Sequence, residues 1–312
     1  MTDEAAFLAT IAANPADRVA RLAYADWLDE QNRPDLADLL KLDIVLADIP
    51  PWQDRYWELK DAPEWLMLPV WQSWWELIGP VAERGPLFRD VPADWKSRWR
   101  VLRAFVERWW GVPMGDIDSR PKAADAAEEI AGRKLPPSVR EWAMLLDEAP
   151  ESRLDLVGRF ERFDASGVTI IATSWGCRWG VRDTDLRADD PPVIAYVNAE
   201  EYESDATGEP FAATMTEFAL IQLLRCWGYL NRQYEAVASF DGTAARWKAS
   251  ATGWSRFGDA LVFEWPGVVA ALRGPGIWDR YSEWMRSSDP TVHAIRQNES
   301  IDFSGAVWEV IP

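Results

Sequence analysis

Four aspartates fall within eight positions of the stretch SWGCRWGVRDTDLRADDPP, residues 174–192: Asp183, Asp185, Asp189 and Asp190. Carboxylates this dense can ligate a metal, serve as general acid and base, or present charge to a partner. Each role makes its own demand on the neighbours. A calcium loop needs oxygen ligands at alternating positions and a glycine at its sharp turn. Asp183 and Asp185 match the first two ligand positions, but Arg187 stands at the third, Ala188 at the glycine and Ile194 where the closing glutamate belongs. The loop fails as an EF-hand, and the isolated pair supports at most weak divalent binding through water.

Other chemistries find fewer of their parts. Nucleophilic catalysis needs a base beside the nucleophile, yet His293 is the only histidine and no GxSxG elbow is present. A Cys177–His293 pair exists only if folding joins them. Cys177 is expected on the inward side of a strand and Cys226 in a buried helix, where a free cysteine is an inert core thiol. There is no GxxxxGK[ST] loop, and Gly274-Pro275-Gly276 lacks the third glycine of a dinucleotide site. One histidine and no CxxC leave no zinc ligand set. A glycosidase-type carboxylate pair needs only two acids at a set separation. With 51 acidic residues in the chain, that alternative stays open without locating itself. The expectation is a protein without catalytic residues, metal or cofactor.

The elements that must position the aspartates can be read from periodicity. VTIIAT at 168–173 is β-branched, Ser174-Trp175-Gly176 reads as a turn, and CRWGV at 177–181 sets Cys177, Trp179 and Val181 on one side. The stretch thus begins as a hairpin and ends in an acidic loop. Pro191-Pro192 forces extension into a strand at 193–197, and Thr214-Met215-Thr216-Glu217 is a capping box that opens the apolar helix FALIQLLRCW. ARWKASA, DALVFEW and a terminal AVWEVI read as further strands.

Upstream, Trp95, Trp99, Leu102, Val106 and Trp109 share one helical face, and Arg98, Arg100, Arg103 and Arg108 read as its solvated surround. A second helix near 120–131 packs Ala123, Ala127 and Ile130 and ends at Gly132. A third starts at Pro137 and turns Val139, Trp142, Ala143 and Leu146 inward. Residues 51–94 read as a Trp- and Pro-rich connector, and residues 52–110 hold ten of the 21 tryptophans. Rings of this size most often fill cores and interfaces.

Residues 2–48 read as three short helices. Thr2 caps the first and Asn14-Pro15 ends it. The second carries Val19, Leu22, Ala23 and Trp27 at one-face spacing, and the third carries Leu36, Leu39, Leu40 and Ile44. The first 45 residues resemble the repeat-companion domain, chiefly through Leu22-Ala23-Tyr24-Ala25-Asp26-Trp27-Leu28-Asp29-Glu30. That resemblance supplies a packing module and no chemistry.

Charge narrows the partner. Net charge is −18, which opposes nucleic acid and anionic membrane alike, and residues 143–209 hold 15 acids against 6 bases. The acidic start MTDEAAFLATIAANP is unlike a signal peptide, and WLMLPVWQSWW at 65–75 is too short to span a bilayer. A cytoplasmic protein with reduced thiols is expected.

Residues 95–285 resemble the SUKH superfamily of bacterial immunity proteins and fungal Smi/Knr-type regulators. The carriers are the order of Gly132, Leu135-Pro136-Pro137 with Trp142, Trp179-Gly180-Val181, Asp190-Pro191-Pro192-Val193, and Thr214-Met215-Thr216-Glu217-Phe218. The resemblance implies an α+β domain, mostly antiparallel in its sheet, over 95–312, preceded by the helical module at 1–50. It further implies a non-catalytic module that neutralises a basic toxin or effector protein. The expected contact residues are Asp183, Asp185, Asp189, Asp190, Trp175, Glu200 and Glu201. A carbohydrate-active enzyme and a signalling scaffold are the alternatives.

Overall fold

The computed structural model describes residues 3–14, 17–61, 85–110, 112–119, 121–148, 167–174, 177–197, 208–227, 245, 247–265, 268–273 and 291–296. The chain is α+β and divides into two compact units, 1–85 and 86–312. The division falls inside the span read as a connector. Its first residues carry a helix of the first unit, and its last belong to the second.

In the first unit, α1 (Asp3–Ala13), α2 (Arg18–Glu30), α3 (Pro34–Asp48) and α4 (Asp54–Asp61) follow one another. Asp17 starts α2 by accepting the amides of Val19 and Ala20 at 2.9 and 3.0 Å, which satisfies donors that a helix start otherwise leaves orphaned. Asn32, at φ 57°, turns the chain out of α2, a left-handed conformation that asparagine tolerates. Ile11, Tyr24, Ala25, Leu28, Ala37, Leu39 and Leu40 form the core. Tyr24 also donates to Glu4 at 2.9 Å, and Arg33 reaches the same carboxylate at 2.6 Å, so one acid of α1 ties down α2 and the residue before α3.

The buried face of α2 differs from the expected one. Arg21, Tyr24, Ala25 and Leu28 are buried, while Val19, Leu22 and Ala23 are exposed and only Trp27 of the expected set is half-buried. Tyr24 and Leu28 give that face larger apolar groups than Val19 and Ala23 give the other, and Arg21 beside them is accommodated by buried Asp43 of α3, 3.8 Å away. Trp57 of α4 is buried, and its indole N–H donates to the Pro51 carbonyl at 2.6 Å.

The second unit opens with a strap, residues 86–94. Phe88 is buried against Phe105 and Phe257, and its amide donates to the Glu264 carboxylate at 3.1 Å. Then come α5 (Trp95–Trp110), α6 (Pro121–Ala131) and α7 (Pro137–Glu148). The first sheet is β1 (Val168–Ser174), β2 (Cys177–Arg182), β3 (Val193–Val197) and β4 (Glu209–Ala212), antiparallel and in chain order. Next follows α8 (Met215–Trp227). The second sheet, also antiparallel and in chain order, is β5 (Gly253–Phe257), β6 (Ala260–Trp265), β7 (Val268–Arg273) and β8 (Thr291–Arg296). A glycine is required at 180, where a Cβ would lie 2.9 Å from the Thr169 carbonyl oxygen across the hairpin.

Aromatic packing joins these parts. Trp142 of α7, Trp179 of β2, Phe211 of β4 and Phe218 of α8 meet with centroids 5.4–5.9 Å apart. The Trp142 indole also donates to the Ile171 carbonyl of β1 at 3.2 Å.

The arginines of α5 correct the expectation of a solvated face. Arg103 is fully buried; its Nε and one terminal nitrogen reach Glu141 at 3.0 and 2.9 Å, and the other reaches Glu148 at 3.2 Å. Arg100 grips Asp116 with two bonds of 2.8 Å, Arg108 faces Glu264 at 3.6 Å, and buried Arg98 lies over the Phe257 ring. Two smaller corrections follow. Ile130 is exposed because α6 buries Ala124, Ala127 and Glu128 instead. Residues 247–250 are helical where ARWKASA read as a strand, and Trp247 packs edge-on against Phe263. The terminal AVWEVI and the Thr2 cap lie outside the described residues.

Replacing one partner of a buried ion cluster leaves charge uncompensated, which costs about 3–5 kcal/mol. Arg103→Met should lower urea-unfolding stability by that much, while Arg187→Met, at an exposed position, should change it by no more than about 0.5 kcal/mol. Equal small losses would show that the cluster contributes little.

Candidate functional site

The acidic loop leaves β2 at Arg182 and enters β3 at Val193, crossing three parts of the second unit. The Asp183 amide donates to the Gly167 carbonyl at 2.8 Å, closing the hairpin base, and its carboxylate pairs with Arg133, just beyond α6. The Asp185 amide donates to Arg182 O at 2.9 Å, and that of Ala188 to Asp185 O at 3.0 Å, so the loop is a run of tight turns. The Asp189 carbonyl accepts the Ser138 amide at the start of α7, 3.1 Å away.

Asp190 is the anchor. One carboxylate oxygen accepts the Thr216 amide at 2.9 Å and the other the Thr216 hydroxyl at 2.7 Å, so the loop caps the first turn of α8. The helix completes its own cap as the capping box predicts in one half: the Glu217 amide donates to the Thr214 hydroxyl at 3.0 Å. The Glu217 carboxylate does something the motif does not foresee. It accepts the amides of Ala213 and Asp259 at 2.9 and 3.2 Å, drawing the β5–β6 turn onto the helix start. Gly258 sits in that turn at φ 57°, and a side chain there would collide with Glu217.

Burial pushes the Asp190 carboxyl above its ordinary range, against the two hydrogen bonds from Thr216 and the nearby Arg98 guanidinium, which favour its charged form. Burial likewise raises Glu141 despite Arg103, and Glu264 despite Arg108. Glu128 moves the other way: its bonds to Lys134, the Leu135 amide and Arg140 outweigh burial and lower it.

The expected contact set therefore divides. Asp190 is withdrawn from the surface into a helix cap, and Asp183 is half-buried in an ion pair; both are corrected from solvated charge to structural ties. Asp189 is exposed and Asp185 half-exposed, and these two keep their place as candidates. Trp175, Glu200 and Glu201 lie outside the described residues. Arg133 and Ser138, which also hold the loop, carry no local signal in the sequence, and Thr216 stands out there only as a member of the capping box. Nothing local pairs Thr216 with an aspartate 26 positions away.

Cys177 lies in the first sheet and His293 in the second, opposite Ala271. Among the described residues no group of three or more His, Cys, Asp or Glu side chains is placed to hold a metal ion, and no helix is long and apolar enough to cross a membrane. No family model, curated protein or solved structure matches the chain.

A carboxyl whose native pKa is raised holds its proton more tightly in the folded than in the unfolded chain. Its contribution to stability is full below the unfolded value near 3.8 and falls as pH rises through the raised one. Asp190→Asn retains an acceptor for the Thr216 amide and does not titrate. Unfolding free energy measured against pH should therefore fall less steeply above pH 3.8 in this variant than in the natural protein. Superimposable profiles would assign the raised pKa no role in stability.

Proposed function

We propose that residues 95–312, within the second unit, form a SUKH-type, non-catalytic protein-binding domain, immunity-like, which recognises a basic toxin or effector protein in the cytoplasm through an acidic surface. The observation that carries this reading is where the charge resides. Inside the fold, arginines and acids cancel one another: Arg21 with Asp43, Arg100 with Asp116, Arg103 with Glu141 and Glu148, Arg108 with Glu264. Among the described residues these arginines are thus engaged within the fold, in a chain that holds 51 acids against 33 bases. An acidic surface speeds encounter with a basic partner and disfavours acidic ones.

Two further observations support it. Trp142, Trp179 and Phe218, which belong to the motifs that carry the resemblance, converge in one aromatic cluster. Gly132 ends α6 at φ 66° and Asp190 caps α8, so other motif positions have defined structural tasks. The loop then works as a rigid mount: Asp183 and Asp190 fix it, and Asp185 and Asp189 meet the partner.

The test spares the fixing residues. Asp185→Lys with Asp189→Lys should leave unfolding stability within about 0.5 kcal/mol per site. Measured against a basic protein recovered with the chain from its native cells, the double variant should bind at least tenfold more weakly, chiefly through slower association, and the natural pair should associate more slowly as salt rises. Unchanged association would remove the loop from the interface.

A further inference from the structure

The fold leaves an apolar stripe of α2 outside the core of the first unit. Among the described residues five large hydrophobic side chains are exposed, and three of them, Val19, Leu22 and Val45, lie on α2 and α3. Their exposures are 75%, 42% and 44%. Scattered exposed aliphatics need no explanation, but these have a defined setting.

Two ion pairs cross from α2 to α3 on this side. Arg18 binds Asp48 at 2.8 Å at one end. At the other, Lys41 binds Asp29 at 2.7 Å and faces Asp26 at 3.9 Å. Leu22 lies one turn after Arg18 and one before Asp26, and Val45 one turn after Lys41 and one before Asp48, because residues four or three apart share a helix face. Leu22 and Val45 are thus bracketed by the two bridges, with Val19 and Ala23 continuing the stripe outward.

The rim is acidic. The Asp26 and Asp48 side chains are 74% and 61% exposed, Glu30 and Asp38 are exposed, and Arg18 and Lys41 are both engaged. An aliphatic strip between two helices with an acidic border complements an amphipathic helix whose leucine-type stripe is flanked by Lys or Arg.

We propose that the α2–α3 face of the first unit docks a short basic amphipathic helix of a partner protein, with Leu22 and Val45 receiving its apolar stripe and Asp26 and Asp38 meeting its cations. Among the described residues neither Leu22 nor Val45 belongs to the core cluster of the unit. The buried contacts of α2 run through Arg21, Tyr24, Ala25 and Leu28. α2 therefore carries a second apolar stripe beside the face that it buries.

The test uses the full chain and a fluorescein-labelled helical peptide with leucine on one stripe and lysine elsewhere, followed by anisotropy. Leu22→Gln with Val45→Gln should weaken binding at least tenfold without changing helical circular dichroism. Asp26→Lys should weaken it severalfold at low salt. Asp185→Lys with Asp189→Lys should leave it within twofold, which separates this surface from the acidic loop. Loss in the loop variant equal to that in the Leu22/Val45 variant would mean general attraction to an acidic protein and would overturn the proposal, as would no binding at all. Concentration-dependent self-association that Leu22→Gln abolishes would assign the face to a second copy of the chain, and would overturn it equally.

Discussion

Arg103 is a guanidinium sealed from water, and everything around it in the second unit is arranged to make that tolerable. A buried cation without partners costs several kcal/mol, so the acids that meet it must arrive together and in register. Glu141 and Glu148 are two turns apart on α7, and both reach Arg103 only if that helix presents one particular face to α5. Glu141 then uses its other oxygen to accept the Asp118 amide at 2.9 Å, which fixes the chain between α5 and α6. Apolar packing alone would permit α7 to slide or rotate, since hydrophobic contact is non-directional. The forked bonds do not.

The same logic is repeated along α5. Arg100 takes Asp116 from the segment after the helix, Arg108 takes Glu264 from β6, and Arg98 lies beside Asp190 of the acidic loop. One helix thereby places a cation at each neighbouring part. Glu264 adds the strap to this arrangement through the Phe88 amide, and Glu217 adds the β5–β6 turn. The loop that looked most like a functional site is partly a member of the same framework. Its first and last aspartates hold α6 and α8, and only the middle of it is left to face solvent.

Much of the local structure is legible in the chain because its cause is local. Gly132 is needed for a left-handed residue after α6, Pro137 for the start of α7, and Thr214 for the cap of α8, and each effect spans a single turn. The hairpin of β1 and β2 follows from β-branched alternation around a short turn. Periodicity failed where two faces of a helix competed. On α2 the stripe through Val19, Leu22 and Ala23 is as apolar as the buried one, and hydropathy cannot reveal that an arginine at position 21 is buried. On α5 the four arginines look like any solvated surface until the acids of α7, β6 and the loop are brought to them. The strand assigned to 245–251 failed similarly, as Trp247 finds Phe263 rather than a strand partner.

The sequence by itself determined the α+β class, the positions of most helices, the first three strands of the β1–β4 sheet, strand β6, and an excess of acid that must be accommodated somewhere. These follow from interactions within a few residues or from composition, which need no knowledge of what packs against what. Only the tertiary structure decided which charges are buried, which aspartates of the loop are ties and which are free to meet a partner, and which of two stripes on α2 is core. Those outcomes depend on pairs such as Asp190 with Thr216, or Arg103 with Glu141, separated by 26 and 38 residues. A charge acquires its role from the partner that the fold delivers to it, and that partner is not written beside it in the chain.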